Sequence, residues 1–176
     1  MGRHLPGTPK PHGDDFCQSV RGGPRPPAAG LTTTRPDLYH YRVTDVALCL
    51  SKSCTTGWLD WVHGELWLTH TGLIRRRLSW NESASHGFGP TVGTPPPESA
   101  LSSFDPAALL AEHPTNKVIY FDAVVAARLK QGITTDALRL GMSDGSRHRL
   151  LWLRRDPAYE VLSNVLPATL GERLRR

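Results

Sequence analysis

Residues 137–153, ALRLGMSDGSRHRLLWL, hold two alternating segments around an Asp-Gly turn, and only one strand register keeps their large apolar side chains together. A two-residue Asp144-Gly145 turn sets Leu140 opposite Arg149 and Met142 opposite Arg147. A three-residue loop, Ser143-Asp144-Gly145, sets Leu138 opposite Leu150 and Leu140 opposite His148. The second arrangement gathers Leu138, Leu140, Leu150 and Trp152 on one face. Side chains alternate with a period of two, so a slip by one residue turns that whole set into water. The three-residue loop is therefore expected, with Gly145 in the left-handed region that glycine reaches without steric cost. A half-buried antiparallel hairpin needs a second layer to cover its apolar face.

A second hairpin is expected over Gly64–Trp80, GELWLTHTGLIRRRLSW. Leu66 and Leu68 alternate with Glu65, Trp67 and Thr69, His70-Thr71-Gly72 supplies a turn with Gly72 suited to positive φ, and Leu73–Trp80 returns. On the return strand Ile74, Leu78 and Trp80 share a face with Arg76, while Arg75 and Arg77 point the other way. Val43–Leu50 reads as a strand, 52–57 as a polar turn, Trp58–Val62 as another strand and Lys117–Phe121 as a further one. Residues 122–130 suit either a helix or a bent strand. Asp105-Pro106 opens a short helix to about Glu112, with Asp as N-cap and Pro in the first turn. A closing helix starts the same way at Asp156-Pro157. Its Ala158, Val161, Leu162, Val165 and Leu166 recur at helical spacing and form one apolar stripe, and Pro167 is expected to kink or interrupt it. Cutting the chain at Asp156 is expected to unfold the domain.

Residues 1–38 are rich in Pro and Gly and lack apolar periodicity, so they read as a disordered arm preceding a domain over 39–176. Arg21–Pro27 in that arm, RGGPRPP, has the composition of a proline-rich ligand, although a plain flexible arm explains it as well. Residues 81–104, with Pro95-Pro96-Pro97 near the centre, read as a mobile insertion within the domain.

The order of strands, two hairpins and one amphipathic C-terminal helix resembles the pleckstrin-homology-like superfold, and within it the GRAM-type branch. Gly64-Glu65-Leu66-Trp67-Leu68-Thr69 matches the branch's G-x-L-x-L-T strand, Val118–Asp122 its apolar strand leading into Asp, and Asp144-Gly145 its hairpin tip. The resemblance covers residues 39–174. It implies an α+β fold, mainly β: a small barrel or sandwich of two antiparallel sheets closed by the C-terminal helix. It also implies a binding role centred on basic residues around the first hairpin.

The candidate chemistry is sparse. Gly141-Met142-Ser143-Asp144-Gly145 fits the G-x-S-x-G nucleophile pattern, but that chemistry needs a sharp strand-to-helix turn, and a strand follows here. A small serine hydrolase using Ser143 is thus the weakest alternative. The histidines form no H-x-x-x-H pair, and Cys17, Cys49 and Cys54 have neither zinc nor disulfide spacing. No cofactor or metal is expected. Arg75 and Arg77, on one strand face, are spaced to meet two phosphates, with Lys52 as a third contributor; a solvated charged face is the competing reading.

The net charge is +5, and its excess lies in residues 117–176. No apolar run is long enough to span a membrane and no leader is evident, so the cytoplasm is the default location. The expected function is a noncatalytic interaction module with a protein partner. Peripheral binding of anionic lipid through Lys52, Arg75 and Arg77 is the first alternative, and nucleic acid ranks last among partners.

Overall fold

The computed structural model describes residues 46–57, 60–87 and 89–175. The expected arm over 1–38 and its proline-rich segment lie outside these residues, as do the first three residues of the strand expected from Val43. The elements run β1 (Val46–Cys54), β2 (Gly64–Leu68), β3 (Gly72–Arg77), α1 (Trp80–Ser85), β4 (Glu98–Ala100), α2 (Pro106–Glu112), β5 (Lys117–Tyr120), β6 (Val124–Lys130), β7 (Thr135–Met142), β8 (Arg147–Leu153), α3 (Ala158–Leu170) and β9 (Leu174–Arg175). The protein is mainly β, with two sheets and a C-terminal helix.

The first sheet has the order β4-β1-β2-β3-β5 and is antiparallel throughout; the second has the order β8-β7-β6-β9, with only β9 parallel to its neighbour. Neither sheet closes on itself. They meet at a corner where Thr55 and Leu151 exchange backbone hydrogen bonds of 2.8 and 2.9 Å. The β7–β8 register sets Leu138 opposite Leu150 and Leu140 opposite His148, as the three-residue loop requires. Gly145 has φ +83°, and the Met142 amide bonds the Ser146 carbonyl across the loop. Residues 124–130 form a strand with a bulge near Val124, which resolves their helix-or-strand ambiguity.

The two sheets and α3 enclose one core. Leu50, Leu66 and Leu73 from the first sheet meet Leu129, Leu138 and Trp152 from the second, and Val161, Leu162 and Leu166 of α3 pack into the same cluster. Each such side chain contributes roughly 1.5–3 kcal/mol on burial, before its ordering entropy is subtracted. Pro167 does not interrupt α3, which continues to Leu170 and ends at Gly171 with φ +54°. Asp156 is not a side-chain cap of this helix; its carboxylate is used elsewhere, as described below.

Several local expectations change. Lys52 lies within β1 and not in a turn, and residues 60–62 form no strand; Trp58 and Leu59 are outside the described residues. The return strand of the first hairpin stops at Arg77. Trp80 instead opens α1, whose N-cap Ser79 accepts from the Glu82 amide at 3.2 Å while Glu82 accepts from the Ser79 amide at 2.9 Å. This Ser79–Glu82 capping box satisfies two helix-end donors reciprocally and outweighs the β pattern before it. Gly72 is not at positive φ: a Cβ there would lie 2.1 Å from the Ile119 carbonyl oxygen, so it is the close approach of β5 that demands glycine.

The stretch 81–104 is not an excursion away from the domain. It carries part of α1, and β4 pairs with β1. Together with α2 it covers the outer face of the first sheet. There Val92, Leu109 and Phe104 pack on Ala47, Cys49, Trp67 and Ile74, with the Phe104 and Trp67 rings 5.2 Å apart. The first sheet is therefore apolar on both faces. α2 itself begins as expected, with Asp105 accepting from the Ala107 and Ala108 amides and Pro106 leading the helix.

Candidate functional site

Among the described residues, α3 packs on the shared core, residues 90–112 lie over the outer first sheet, and none covers the outer face of the second sheet. The alternation that buries Leu129, Leu138, Leu140, Leu150 and Trp152 turns the intervening residues of β6, β7 and β8 outward. The register then decides which of these become neighbours. Arg139 on β7 is paired with Arg128 on β6 and with Arg149 on β8, and Arg128 is paired with Arg175 on β9. One arginine from each strand thus stands in a single row, Arg149–Arg139–Arg128–Arg175. At about 4.8 Å between strands the row is roughly 14 Å long at the backbone.

Two adjoining hollows follow this row. One, of about 210 Å³, is lined by Arg128, Lys130, Arg139 and Arg149 with Gly132, Thr135, Ala137 and Leu151. The other, of about 820 Å³, shares Arg128, Arg139 and Arg149 and adds Arg147 and Arg175, with His148 among the remaining lining residues. Among the described residues no Asp or Glu lines either hollow. Between the arginines the floor is small: Ala126 and Gly141 lie on one side of the row and Ala137 on the other. Long guanidinium side chains can therefore lie across the sheet or extend from it. Burial, reinforced by Lys117, pushes the His148 imidazole below its ordinary range, so the charge on this face near neutral pH comes from its Arg and Lys residues.

Like charges directly opposite one another on a sheet destabilise it. Three successive arginine pairs in one row are an arrangement that an anion would relieve. Arginine also suits phosphate or carboxylate better than lysine does, because its planar fork donates two parallel hydrogen bonds.

The residues expected to bind from sequence are placed differently. Arg75 and Arg77 do share a face of β3, but at Arg75 that face is the protein interior. Arg75 is 0% exposed, pairs with Asp60 at 2.9 Å, and donates to the carbonyls of Val62 and Thr115 and to the Thr115 hydroxyl. Burial pulls its pKa down, and Asp60 opposes that shift. Gly64 leaves room for this side chain, since a Cβ there would lie 2.6 Å from Arg75 Nε. Arg75 thus ties the 54–62 segment and the β5 approach to β3, with both of its terminal nitrogens donating within the fold. Lys52 lies toward the opposite, covered face and pairs with Glu65 at 3.5 Å, while Glu65 accepts from Trp67 Nε1. Arg77 is half-buried beside Asn116, whose side chain accepts its backbone amide at 2.7 Å. The structure does not bring Lys52 together with Arg75 and Arg77. Ser143 sits in a strand-to-strand loop, its amide bonded to the Ala123 carbonyl, and not in the strand-to-helix turn of a nucleophile elbow.

Other polar clusters are internal. Asp156 is 3% exposed and accepts from the hydroxyls of Ser51, Ser53 and Thr91 at 2.6, 2.7 and 2.9 Å and from the Thr91 amide at 2.6 Å. It joins β1, the 90s segment and the start of α3. The His63 and His86 rings stack at 5.8 Å and dock α1 on the 60–63 segment. Burial pushes the Cys49 and Cys54 thiols up to about 12, which leaves both protonated and unreactive. Among the described residues no group of three His, Cys, Asp or Glu could hold a metal ion, and no helix is long and apolar enough to cross a membrane.

The sequence matches no protein-family model, and no curated protein is significantly similar to it.

Proposed function

We propose that this chain is a noncatalytic binding module, of pleckstrin-homology-like architecture, that takes an anionic partner on the outer face of its second sheet. The observation that carries this reading is the in-register row Arg149–Arg139–Arg128–Arg175, along which no carboxylate lies among the described lining residues. The architecture is supported by two sheets around one core with an amphipathic helix packed into it. The working surface differs from the one the first hairpin suggested, because Arg75 is consumed by a buried ion pair and Lys52 by Glu65.

Heparin, a linear polyanion with no bases and no acyl chains, isolates the charge recognition. On a heparin column the R128Q/R139Q protein is expected to elute at markedly lower salt than the parent chain, whereas K52Q is expected to elute with the parent. Co-elution of R128Q/R139Q with the parent would remove the proposal.

A further inference from the structure

The arginine row has a length, a composition and a surrounding floor that discriminate among polyanions. Its four charges are arranged in a line across the strands and not around a pocket. A line of about 14 Å suits a chain of evenly spaced anions better than one compact headgroup. The same length corresponds to the axial rise of about four nucleotides of one strand of a duplex, at about 3.4 Å each. Arg147 and Lys130 flank the row on the outer strand β8 and the inner strand β6, one on either side, and widen the basic band.

The floor separates single from double strands. Binders of single-stranded nucleic acid stack bases on aromatic side chains, each worth about 1–3 kcal/mol. The positions beside the row are Ala126, Gly141, Ala137 and Leu151, and among the described residues no Phe, Tyr or Trp lines either hollow. These residues offer unstacked bases no platform. A duplex keeps its bases stacked and carries its phosphates along the outside, where a row of arginines can meet them without a stacking platform. Among the described residues the hollows carry only the Thr56, Thr135 and Ser146 hydroxyls, a thin set with which to follow the 2′-OH groups of an RNA duplex, so DNA is the duplex proposed.

From these observations we infer that the outer face of the second sheet binds the phosphate backbone of double-stranded DNA, without sequence preference, through Arg128, Arg139 and Arg175, with Arg147 and Lys130 beside them. This inference rests on the anion-binding reading above. Contacts of this kind position a protein on a duplex and carry no base information.

The test is a fluorescence-anisotropy titration of the full chain with a mixed-sequence duplex of about 20 base pairs, between 50 and 300 mM salt. Four to six phosphate contacts give an expected slope of log K against log salt between about −3.5 and −5.5. R128Q/R139Q is expected to weaken binding at least tenfold at low salt and to reduce the magnitude of the slope by about 2, whereas R128K/R139K keeps the charge and most of the slope. A dT single strand of equal length is expected to bind more weakly than the duplex. Three results would overturn the inference: no duplex binding at 50 mM salt, duplex binding indifferent to R128Q/R139Q, or a dT strand that binds as tightly. Heparin retention still sensitive to the same variant would then leave the anion-binding reading standing, and vesicles rich in phosphatidylserine that bind in its place would assign the face to a membrane. Loss of heparin retention as well would remove both.

Discussion

At the scale of single residues, Asp156 shows how a buried charge organises neighbouring segments. Its carboxylate receives hydrogen bonds from Ser51, Ser53 and Thr91, which belong to parts of the chain far apart in sequence. An Ala at this position would strand those buried donors, and an unmet buried partner costs more than a hydrogen bond contributes. D156A is expected to lower unfolding free energy by about 3–5 kcal/mol in urea titration, and D156N by less, because the amide oxygen still accepts. A loss below 1 kcal/mol for D156A would show that the cluster is dispensable. In the sequence this aspartate has the appearance of a helix cap, because Asp-Pro ahead of an apolar stripe is a start signal. The competing attraction of three hydroxyl-bearing residues 65 to 105 positions away could not be read from local pattern. The same holds for Arg75: alternation gave its face correctly, but Asp60, which makes that face tolerable for a guanidinium, lies in another segment.

At the scale of elements, legibility followed the strength of the local code. The β7–β8 hairpin was determined by its own residues, since one register alone buries Leu138, Leu140, Leu150 and Trp152. That register also places Arg139 opposite Arg149, so half of the arginine row was implicit in the first hairpin argument. Arg128 depends on residues 124–130 being a strand, which their alanines left open against a helix, and Arg175 on the two-residue β6–β9 pairing between distant segments. The basic excess after residue 116 was the available signal for them. The Ser79–Glu82 capping box of α1 was also present in the sequence. It was masked by the apolar alternation running into Leu78 and Trp80.

The docking of α1 has a pH consequence. His63 is half-buried against His86, and burial first, then the neighbouring His86, holds its pKa below the ordinary value; Arg75 acts the same way, while Asp156 and Asp60 oppose. The folded state therefore binds a proton less readily than the unfolded chain, so stability is retained above the unfolded value of about 6.5 and lost as pH falls through the lowered folded value. Urea midpoints are expected to decline from pH 7 to 5. H63F, which keeps a stacked ring but cannot titrate, is expected to flatten part of that decline, and His148, whose pKa burial also lowers, adds to it in the same direction. An unchanged slope in H63F would detach the histidine pair from the effect.

At the scale of the whole molecule, the fold distributes its apolar and charged surfaces unequally. The first sheet is covered on both faces, by the shared core and by residues 90–112 with α2. Among the described residues the second sheet is covered on one face only, and its other face carries six basic side chains and no carboxylate along its two hollows. Composition alone registered this only as a modest net charge of +5, because six acidic residues within 117–176, none of them lining the hollows, offset eleven basic ones there. What makes the charge a surface is the strand pairing.

Amide hydrogen exchange of the full chain with and without saturating heparin tests that placement directly. The account expects slowed exchange in 124–130, 135–142, 147–153 and 174–175, and no change around Lys52 or Arg77. Protection centred on β1 and β3, with β6 to β9 unaffected, would contradict it.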